Sequence, residues 1–183
     1  QLEYSLSFVV SIIRPYGNAS TGRIRNLSDF IKLAQTDYME AYRLFASQGF
    51  QHVLKEEKGK ELLWYAGFGG PGALISGMEE FLVTINAKPR IELALKEQEI
   101  TYQDIKEEQK ETLFVQKNGW GYISFEAQTD SSFLKLEKNV YTSDDFTGSI
   151  CDLIYYIDPA ELHTGKNYGR ITLENIYQHL TYE

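Results

Sequence analysis

A change of hydrophobic period along the chain limits its fold more than any other feature. From Ser28 to Leu54 apolar residues recur at the spacing of an α-helix, with a stripe made of Phe30, Ala34, Tyr38, Ala41 and Phe45. From Arg90 to Glu183 the period changes to two, which is typical of β-strands. Together the two patterns predict an α+β protein in which a helical part precedes a β part.

The 183 residues divide into three predicted parts. Residues 1–25 are expected to form a β-strand, Leu2 to Ile13, and a linker that come from a preceding module. Residues 26–88 are expected to form a small four-helix subdomain, and residues 89–183 an immunoglobulin-like antiparallel β-sandwich. Because the sequence starts at Gln1, beside a strand-like run, we expect it to be a fragment of a longer protein.

Capping residues predict where the first two helices begin. The Ser28 hydroxyl can accept the early amide hydrogens of a helix that runs to about Gln35. Asp37, with Glu40 three residues later, is typical of the start of a second helix, which ends before Gly49. We therefore expect two helices with a break between them instead of one long rod.

Two further helices are predicted in the helical part. One is a short helix over Phe50 to Glu57, and the other runs from Gly77 to Ala87, with Ser76 as its cap and Pro89 as its stop. The glycine-rich stretch Gly67 to Gly72 lies between them. It lacks the preceding strand, the glycine spacing and the lysine of a phosphate-binding loop, so we interpret it as a flexible connection.

The β part contains short candidate strands separated by turn signals, as an immunoglobulin-like sandwich requires. The candidates are Ile91 to Lys96, Glu99 to Gln103, Leu113 to Lys117, Gly121 to Gln128, Phe133 to Leu136, Ser149 to Ile157, Gly169 to Glu174 and Ile176 to Tyr182. The inward positions predict a core of Trp120, Tyr122, Phe125, Leu134, Leu136, Leu153, Tyr155, Ile157, Ile171, Leu173 and Leu180.

The charge of the chain argues against two classes of partner. A net charge of -8 and a pI near 5.0 disfavour binding to nucleic acid or to an anionic membrane, because both require a basic surface. Cys151 is the single cysteine, so the chain cannot form an intramolecular disulfide. Its apolar neighbours predict a buried core residue. The cellular compartment is not indicated by the sequence.

Two segments of the chain resemble known proteins. The first consists of Glu3 to Ile12, Gly22 to Leu27, Phe30, Leu33-Ala34, Glu40-Ala41 and Leu44-Phe45. It resembles an uncharacterised family of large multi-domain proteins from clostridia-like Gram-positive bacteria, in which β-sandwich modules precede a long helical region. The resemblance covers most of the chain and implies no activity. Ser7 stands where the family tends to have proline, which affects only the edge of the first strand.

The second segment lies in the β part and consists of Asp145 to Gly148, Ile154 to Pro159, Leu162, Gly165 and Asn167 to Ile171. It resembles the final strands of immunoglobulin-like modules, in which a glycine turn precedes a G-x-I strand. This resemblance implies a fold and no function.

No catalytic, cofactor-binding or metal-binding residue is predicted. The histidines His52, His163 and His179 lack the spacing of a metal site. Ser76 lacks the first glycine of a nucleophile elbow, and Cys151 lies in an apolar run that does not activate a thiol. The many acidic residues contain no calcium-loop pattern and are interpreted as a solvated surface. We therefore predict that the chain is not an enzyme.

Aromatic residues make up 14% of the chain, and five tyrosines fall in loops or on predicted outer faces: Tyr16, Tyr65, Tyr141, Tyr156 and Tyr168. The position of Trp64, near the glycine-rich stretch, is ambiguous. Tyrosine and tryptophan rings stack on sugars and anchor protein interfaces. These residues therefore leave two kinds of ligand open, a glycan or a protein.

The sequence thus predicts a non-catalytic structural or interaction module of a larger bacterial multi-domain protein. Its expected partners are neighbouring domains of the same protein, and no cofactor is expected. The alternative is a carbohydrate-binding module, or an accessory domain of a glycan-active enzyme.

Overall fold

The structure of the protein is a computed structural model that describes residues 24–183. The predicted strand from Leu2 to Ile13 lies outside the described residues. The chain forms two compact units, one that ends at Pro89 and one that begins at Arg90. The described part of the first unit is helical and the second consists of antiparallel strands, which confirms the predicted α+β class.

Helices make up the regular structure of residues 24–89, the described part of the first unit. In the described residues they are α1 (Leu27–Thr36), α2 (Tyr38–Phe45), a 3-10 helix (Gln48–His52), α3 (Lys60–Phe68) and α4 (Ile75–Thr84). Among the residues that the structure describes, no helix has the length and apolar character needed to cross a membrane.

Side-chain caps separate α1 from α2. The Asp37 carboxylate accepts a hydrogen bond from the Glu40 amide at 3.1 Å, which confirms the predicted start of the second helix. The predicted cap of the first helix was wrong, because the side chain of Asn26, and not Ser28, accepts from the Asp29 amide at 2.9 Å. Helix α1 thus begins before Ser28, whose hydroxyl lies too far along the first turn to cap it.

The later helices differ more from the prediction. The helix expected over Phe50 to Glu57 is replaced by the 3-10 helix and turns, which bury Phe50 completely. Helix α3 was not predicted, since the charge run before it and the glycines at its end obscure its helical period. Helix α4 begins behind Leu74, so Ser76 lies inside its first turn and is not the cap. It also ends at Thr84, before Pro89 is reached.

The predicted apolar stripe forms the core of the helical unit. Its members Phe30, Ala41 and Phe45 are fully buried. The Phe45 ring lies 5.2 Å from the Phe81 ring and 5.3 Å from the Phe50 ring, measured between ring centroids. Aromatic rings at these distances attract each other beyond the effect of burial alone. The stripe therefore holds helices together.

The second unit contains two antiparallel sheets. Its strands are β1 (Leu93–Leu95), β2 (Gln109–Lys117), β3 (Ser124–Thr129), β4 (Leu134–Leu136), β5 (Val140–Thr142), β6 (Phe146–Thr147), β7 (Ile150–Ile157), β8 (Ile171–Glu174) and β9 (His179–Tyr182). One sheet has the order β1-β2-β7-β4, with β6 also paired to β7, and the other has the order β5-β3-β8-β9.

One predicted strand is absent, and two short ones were not predicted. Residues 99–103 form no strand, but this stretch follows the outer edge of β9 through two backbone hydrogen bonds. The Ile100 amide donates to the Glu183 carbonyl at 2.7 Å, and the Glu183 amide donates to the Gln98 carbonyl at 2.9 Å. Strands β5 and β6 were not predicted, because they are short and lie on either side of the turn Ser143–Asp145, whose composition hides them.

The two sheets enclose one hydrophobic core. Val115, Cys151 and Leu153 from one sheet and Phe125 and Leu173 from the other are at most 2% exposed. This arrangement of inward faces confirms a sandwich-like β unit. Of the predicted core residues, Trp120, Tyr122, Leu134, Leu136 and Leu180 are only half-buried, since they lie outside or near the ends of the strands.

Candidate functional site

A cleft of about 1010 Å³ opens at one end of the β unit. Its walls come from residues 100–105 between β1 and β2, from the segment after β3 that contains Asp130, Phe133 and Leu134, and from the segment 162–170 before β8. Tyr155, Ile157, Ile171, Tyr182 and Glu183 complete the lining. We call it the end cleft. Loops that are fixed on a rigid sandwich commonly carry binding sites, and the volume suits a small organic ligand.

Three tyrosine hydroxyls lie together beside the end cleft. The Tyr102 and Tyr155 hydroxyl oxygens are 2.9 Å apart, and those of Tyr155 and Tyr182 are 3.4 Å apart. Burial raises the pKa of Tyr102 to about 12, and it also raises the pKa of Tyr155 and Tyr182. All three hydroxyls are therefore protonated at neutral pH. They can donate and accept hydrogen bonds but do not act as bases.

One asparagine organises the loop that forms the rim. The Asn167 side-chain oxygen accepts from the His163 amide at 3.0 Å, and its nitrogen donates to the His163 carbonyl at 2.8 Å. The same nitrogen donates to the Gly165 carbonyl at 3.3 Å. Gly165 has a φ of 99°, a backbone conformation that glycine adopts without strain. These contacts hold the loop in shape and present the next residue, Tyr168, to solvent.

Gly169 allows the rim to lie against the neighbouring loop. A Cβ atom at this position would lie 2.7 Å from Phe133 Cζ, 2.8 Å from Leu134 Cδ1 and 2.9 Å from Ser131 Oγ. Real Cβ atoms do not approach other heavy atoms so closely, so these side chains must shift if a larger residue replaces the glycine. The glycine of the G-x-I segment is thus explained by packing.

Asp130 is held as an ionised acceptor in the wall of the end cleft. The Ser131 hydroxyl donates to Asp130 Oδ1 at 2.7 Å, and the Arg170 amide donates to the same oxygen at 2.9 Å. The hydrogen bond from Ser131, followed by the amide and the charge of Arg170, lowers the pKa of Asp130 below its usual range. The carboxylate is therefore charged at neutral pH.

An ion pair connects the rim to the end of β9. Arg170 Nη2 lies 2.8 Å and Nε 3.2 Å from Glu183 Oε1, and the two side chains are 52% and 59% exposed. The end cleft is lined by three carboxylates, from Asp104, Asp130 and Glu183, and by two cationic side chains, from Lys166 and Arg170. The lining thus carries no excess of positive charge.

The histidines do not converge. His52 lies on the helical unit, where its Nε2 contacts the Ile24 carbonyl at 3.0 Å, and His163 lies in the rim of the end cleft. His179 Nδ1 is 3.6 Å from Glu174 Oε1 on neighbouring strands. Within residues 24–183, no three metal-binding side chains come together.

The predicted buried position of Cys151 is confirmed. Its side chain is fully buried, and burial, followed by the charges of Asp145 and Asp152, raises the pKa of its thiol to about 11. A protonated and buried thiol is a poor nucleophile.

The five tyrosines that were predicted to lie in loops or on outer faces differ in their exposure to solvent. Tyr168 is 81% exposed, as expected, and belongs to the end cleft. Tyr141 is 3% exposed, so its prediction was wrong, because the unrecognised strand β5 turns it into the core. Tyr65 and Tyr156 are half-buried, and Tyr16 lies outside the described residues.

Trp64 lies on the surface of the helical unit. It is 41% exposed and stacks on Phe68, one turn later on α3, with 5.9 Å between ring centroids. The glycine-rich stretch follows directly and connects α3 to α4, where the Gly70 amide donates to the Phe45 carbonyl at 3.0 Å. This stretch follows a helix, whereas a phosphate-binding loop follows a strand.

Other residues of the end cleft were not recognised from the sequence. No local motif in the sequence predicts that Asp130, Arg170 and Glu183 belong to a site. Their separation along the chain hides their proximity. The G-x-I segment, which contains Arg170 and follows Tyr168, was the one signal that pointed to this end of the unit.

The protein is therefore of the α+β class, and its β unit has two antiparallel sheets and a ligand-sized cleft at one end. Residues 1–183 match the N-terminal part of a family of unknown function, DUF5717, and the chain belongs to this family. No curated protein matches the sequence. The resemblance to an uncharacterised family is thus confirmed at this level.

Proposed function

We propose that the chain is a non-catalytic interaction module and that the end cleft is its binding site. One observation carries this proposal: three loops on a buried two-sheet core form a preorganised cleft, in which Tyr102, Tyr155 and Tyr182 are protonated and Asp130 is ionised. A general acid needs a carboxyl group with a raised pKa, and a base needs one poised near neutral pH. The pKa of Asp130 is shifted in the opposite direction, so this carboxylate does not suit the role of a general acid.

The order of the strands supports an immunoglobulin-like module. The pairings of β2 with β7 and of β3 with β8 correspond to the central pairs of the two immunoglobulin sheets. Such modules commonly act as spacers or docking units in larger proteins. With the resemblance to large bacterial multi-domain proteins, this strand order supports a role as a module whose partners are neighbouring domains. The net charge of -8 supports the absence of a role in binding nucleic acid or membranes.

Carbohydrate binding is the second candidate function, either on its own or as an accessory to a glycan-active enzyme. The observation that favours it is Tyr168, an aromatic ring that is 81% exposed beside several hydrogen-bonding side chains. Sugars present a C–H face that packs on aromatic rings and hydroxyls that need polar partners.

A ligand screen tests the proposed function. The 183-residue chain and its Tyr168→Ala variant are compared by thermal shift against soluble oligosaccharides and against the domains that flank the chain in its parent protein. A partner that raises the melting temperature of the wild type but not of the variant supports binding at the end cleft. Stabilisation that is equal in both proteins contradicts it. Release of products from a bound oligosaccharide would contradict the non-catalytic role.

A further inference from the structure

We propose that the end cleft binds a neutral oligosaccharide, with one sugar ring stacked on Tyr168 and its hydroxyl groups bound by Asp130, Arg170 and Glu183. This inference rests on the proposed function, since it assumes that the end cleft is a binding site. It adds the chemical class of the ligand and the role of each side chain.

The first observation is the state of the Tyr168 ring. It is 81% exposed, and its backbone carbonyl oxygen lies 3.4 Å from Ser131 Oγ. The neighbouring loop is fixed by Asn167 and by the close packing of Gly169. An exposed ring on an ordered backbone offers a flat apolar surface at low entropic cost.

The second observation is that hydrogen-bond acceptors line the same cleft as Tyr168. The described partners of Asp130 both donate to Oδ1, and none of the described residues donates to Oδ2. In the same way, both hydrogen bonds from Arg170 end at Glu183 Oε1, which leaves Oε2 without a partner in residues 24–183. Two carboxylate oxygens are therefore available to accept from sugar hydroxyls.

The third observation is a hydrogen-bond donor, the Arg170 guanidinium, which lies next to the Glu183 carboxylate. The Arg170 guanidinium uses Nε and Nη2 for Glu183, and its Nη1 has no hydrogen-bond partner among the described residues. A sugar hydroxyl both donates and accepts, so a pair of neighbouring hydroxyls can bridge a carboxylate and a guanidinium. Charge-assisted bonds of this kind are stronger than those between neutral groups.

The charge of the lining selects a neutral sugar. Arg170 is already paired with Glu183, and the three carboxylates of the end cleft outnumber its two cations, Lys166 and Arg170. A uronic acid or a sulfated sugar would place its own negative charge beside Asp130 and Glu183. Like charges at such distances repel, and the net charge of -8 adds to this repulsion.

Affinity electrophoresis of the 183-residue chain tests the inference. The gels contain either neutral polymers (glucan, mannan, xylan or galactan) or acidic polymers (polygalacturonate, alginate or hyaluronate). We expect at least one neutral polymer to retard the chain. The variant Tyr168→Ala should weaken this binding by about tenfold or more, while Tyr168→Phe, which keeps the ring, should bind almost as the wild type does.

Further variants separate the polar contacts from the stacking. Asp130→Asn and Glu183→Gln should each weaken the same binding, whereas Tyr156→Ala, a tyrosine outside the end cleft, should not. Circular dichroism of each variant confirms that it is folded. Retention of full affinity in both carboxylate variants would overturn the assigned polar contacts and with them the inference.

The other outcomes are distinct from one another. If none of the neutral polymers retards the chain, the inference is wrong. If only an acidic polymer binds and Tyr168→Ala weakens that binding, the neutral class is wrong while the proposed function of the end cleft stands. If a polymer binds equally well to the wild type and to Tyr168→Ala, both the inference and the proposed site are wrong.

Discussion

The side-chain amide of Gln178 binds the backbone of Leu93 in the way that a peptide group of an adjacent strand would. The Leu93 amide donates to Gln178 Oε1 at 2.6 Å, and Gln178 Nε2 donates to the Leu93 carbonyl at 3.0 Å. Leu93 belongs to β1, which is the edge strand of its sheet. Edge strands present unpaired backbone groups to other chains, so Gln178 closes part of this edge.

Gln178→Glu should therefore destabilise the β unit at neutral pH. The carboxylate keeps the size of the amide but cannot donate to the Leu93 carbonyl, and it places negative charge against that oxygen. We expect a loss of about 1–3 kcal/mol in the free energy of unfolding, measured by urea denaturation. Gln116→Glu, on the exposed face of β2, is the matched control and should change stability far less.

Acid should reverse part of this loss. The folded state favours the protonated carboxyl of Gln178→Glu, which can donate again, so its pKa is raised above the unfolded value of about 4.3. The stability of the variant relative to the wild type is then greatest at low pH and falls as the pH rises through the folded pKa. A difference between the two proteins that is constant from acid to neutral pH would contradict the role of the lost donor.

The parts of the fold that depend on residues close together in the sequence could be predicted. The cap at Asp37 and the change of period after Pro89 both depend on neighbouring residues, and both predictions agree with the structure. Helix α3 was missed because charged residues precede it, and strand β5 was missed because a polar turn follows it directly. Their conformation depends on packing that no local pattern contains.

The end cleft was less predictable for a related reason. Its lining comes from separate segments of the β unit, and only the folded chain brings Asp130, Tyr168 and Glu183 to one place. A pattern identified Tyr168 as an outer residue, but the same reasoning placed Tyr141 outside as well. The side on which a tyrosine lies depends on strand pairing, which a single sequence does not reveal.

Phe45→Ala should strongly destabilise the helical unit. Phe45 is fully buried, and its ring contacts the rings of Phe50, Tyr65 and Phe81. Removal of a buried phenylalanine ring leaves a cavity and typically costs about 3–5 kcal/mol. Urea denaturation, followed by the helical circular dichroism signal, measures this loss as a lower urea concentration at the midpoint of unfolding.

Met39→Ala is the matched control for this prediction. Met39 lies on the same helix but is 47% exposed, so its truncation removes little buried surface. If the two variants unfold at the same urea concentration, the apolar stripe does not form the core of the unit.

Lys88→Met should also destabilise the helical unit, for an electrostatic reason. The Lys88 ammonium is bound to Glu79 Oε1, and both side chains are at most 9% exposed. The Tyr38 hydroxyl donates to Glu79 Oε2 at 2.6 Å. Removal of the cation from a buried carboxylate typically costs about 3–5 kcal/mol, which urea denaturation can measure.

The double variant Glu79→Gln/Lys88→Met separates charge from packing. A neutral amide at position 79 can still accept from Tyr38 and no longer requires a counter-ion. We expect the double variant to be more stable than Lys88→Met alone. If both lose the same stability, the loss comes from the packing of the lysine stem.

Gly169→Ala should destabilise the β unit through a steric clash at the end cleft. The added methyl group would lie within 2.9 Å of atoms of Ser131, Phe133 and Leu134, which form the neighbouring wall. Forcing extra volume into a packed site typically costs about 1–3 kcal/mol. Gly67→Ala has no atom within 4 Å of its added carbon and lies in α3, so this control should preserve or increase stability.

The raised pKa of the Cys151 thiol predicts that the β unit loses stability in alkali. Burial raises the pKa of the folded thiol from 9.0 to about 11, so the unfolded chain loses this proton first as the pH rises. The contribution of the protonated thiol is fully present below pH 9.0 and is lost progressively as the pH rises toward the folded value. Cys151→Ala removes the titrating group while keeping a small apolar side chain.

Urea denaturation from pH 8 to pH 11 compares the free energies of unfolding of the wild type and of Cys151→Ala. The tyrosines of the core are present in both proteins, so their titration affects both equally. We expect the wild type to lose more stability over this range than the variant. A thiol reagent provides the second readout, since a buried and protonated Cys151 should react only when the β unit opens. Parallel pH profiles, or rapid labelling in the absence of denaturant, would show that the thiol is accessible in the folded protein.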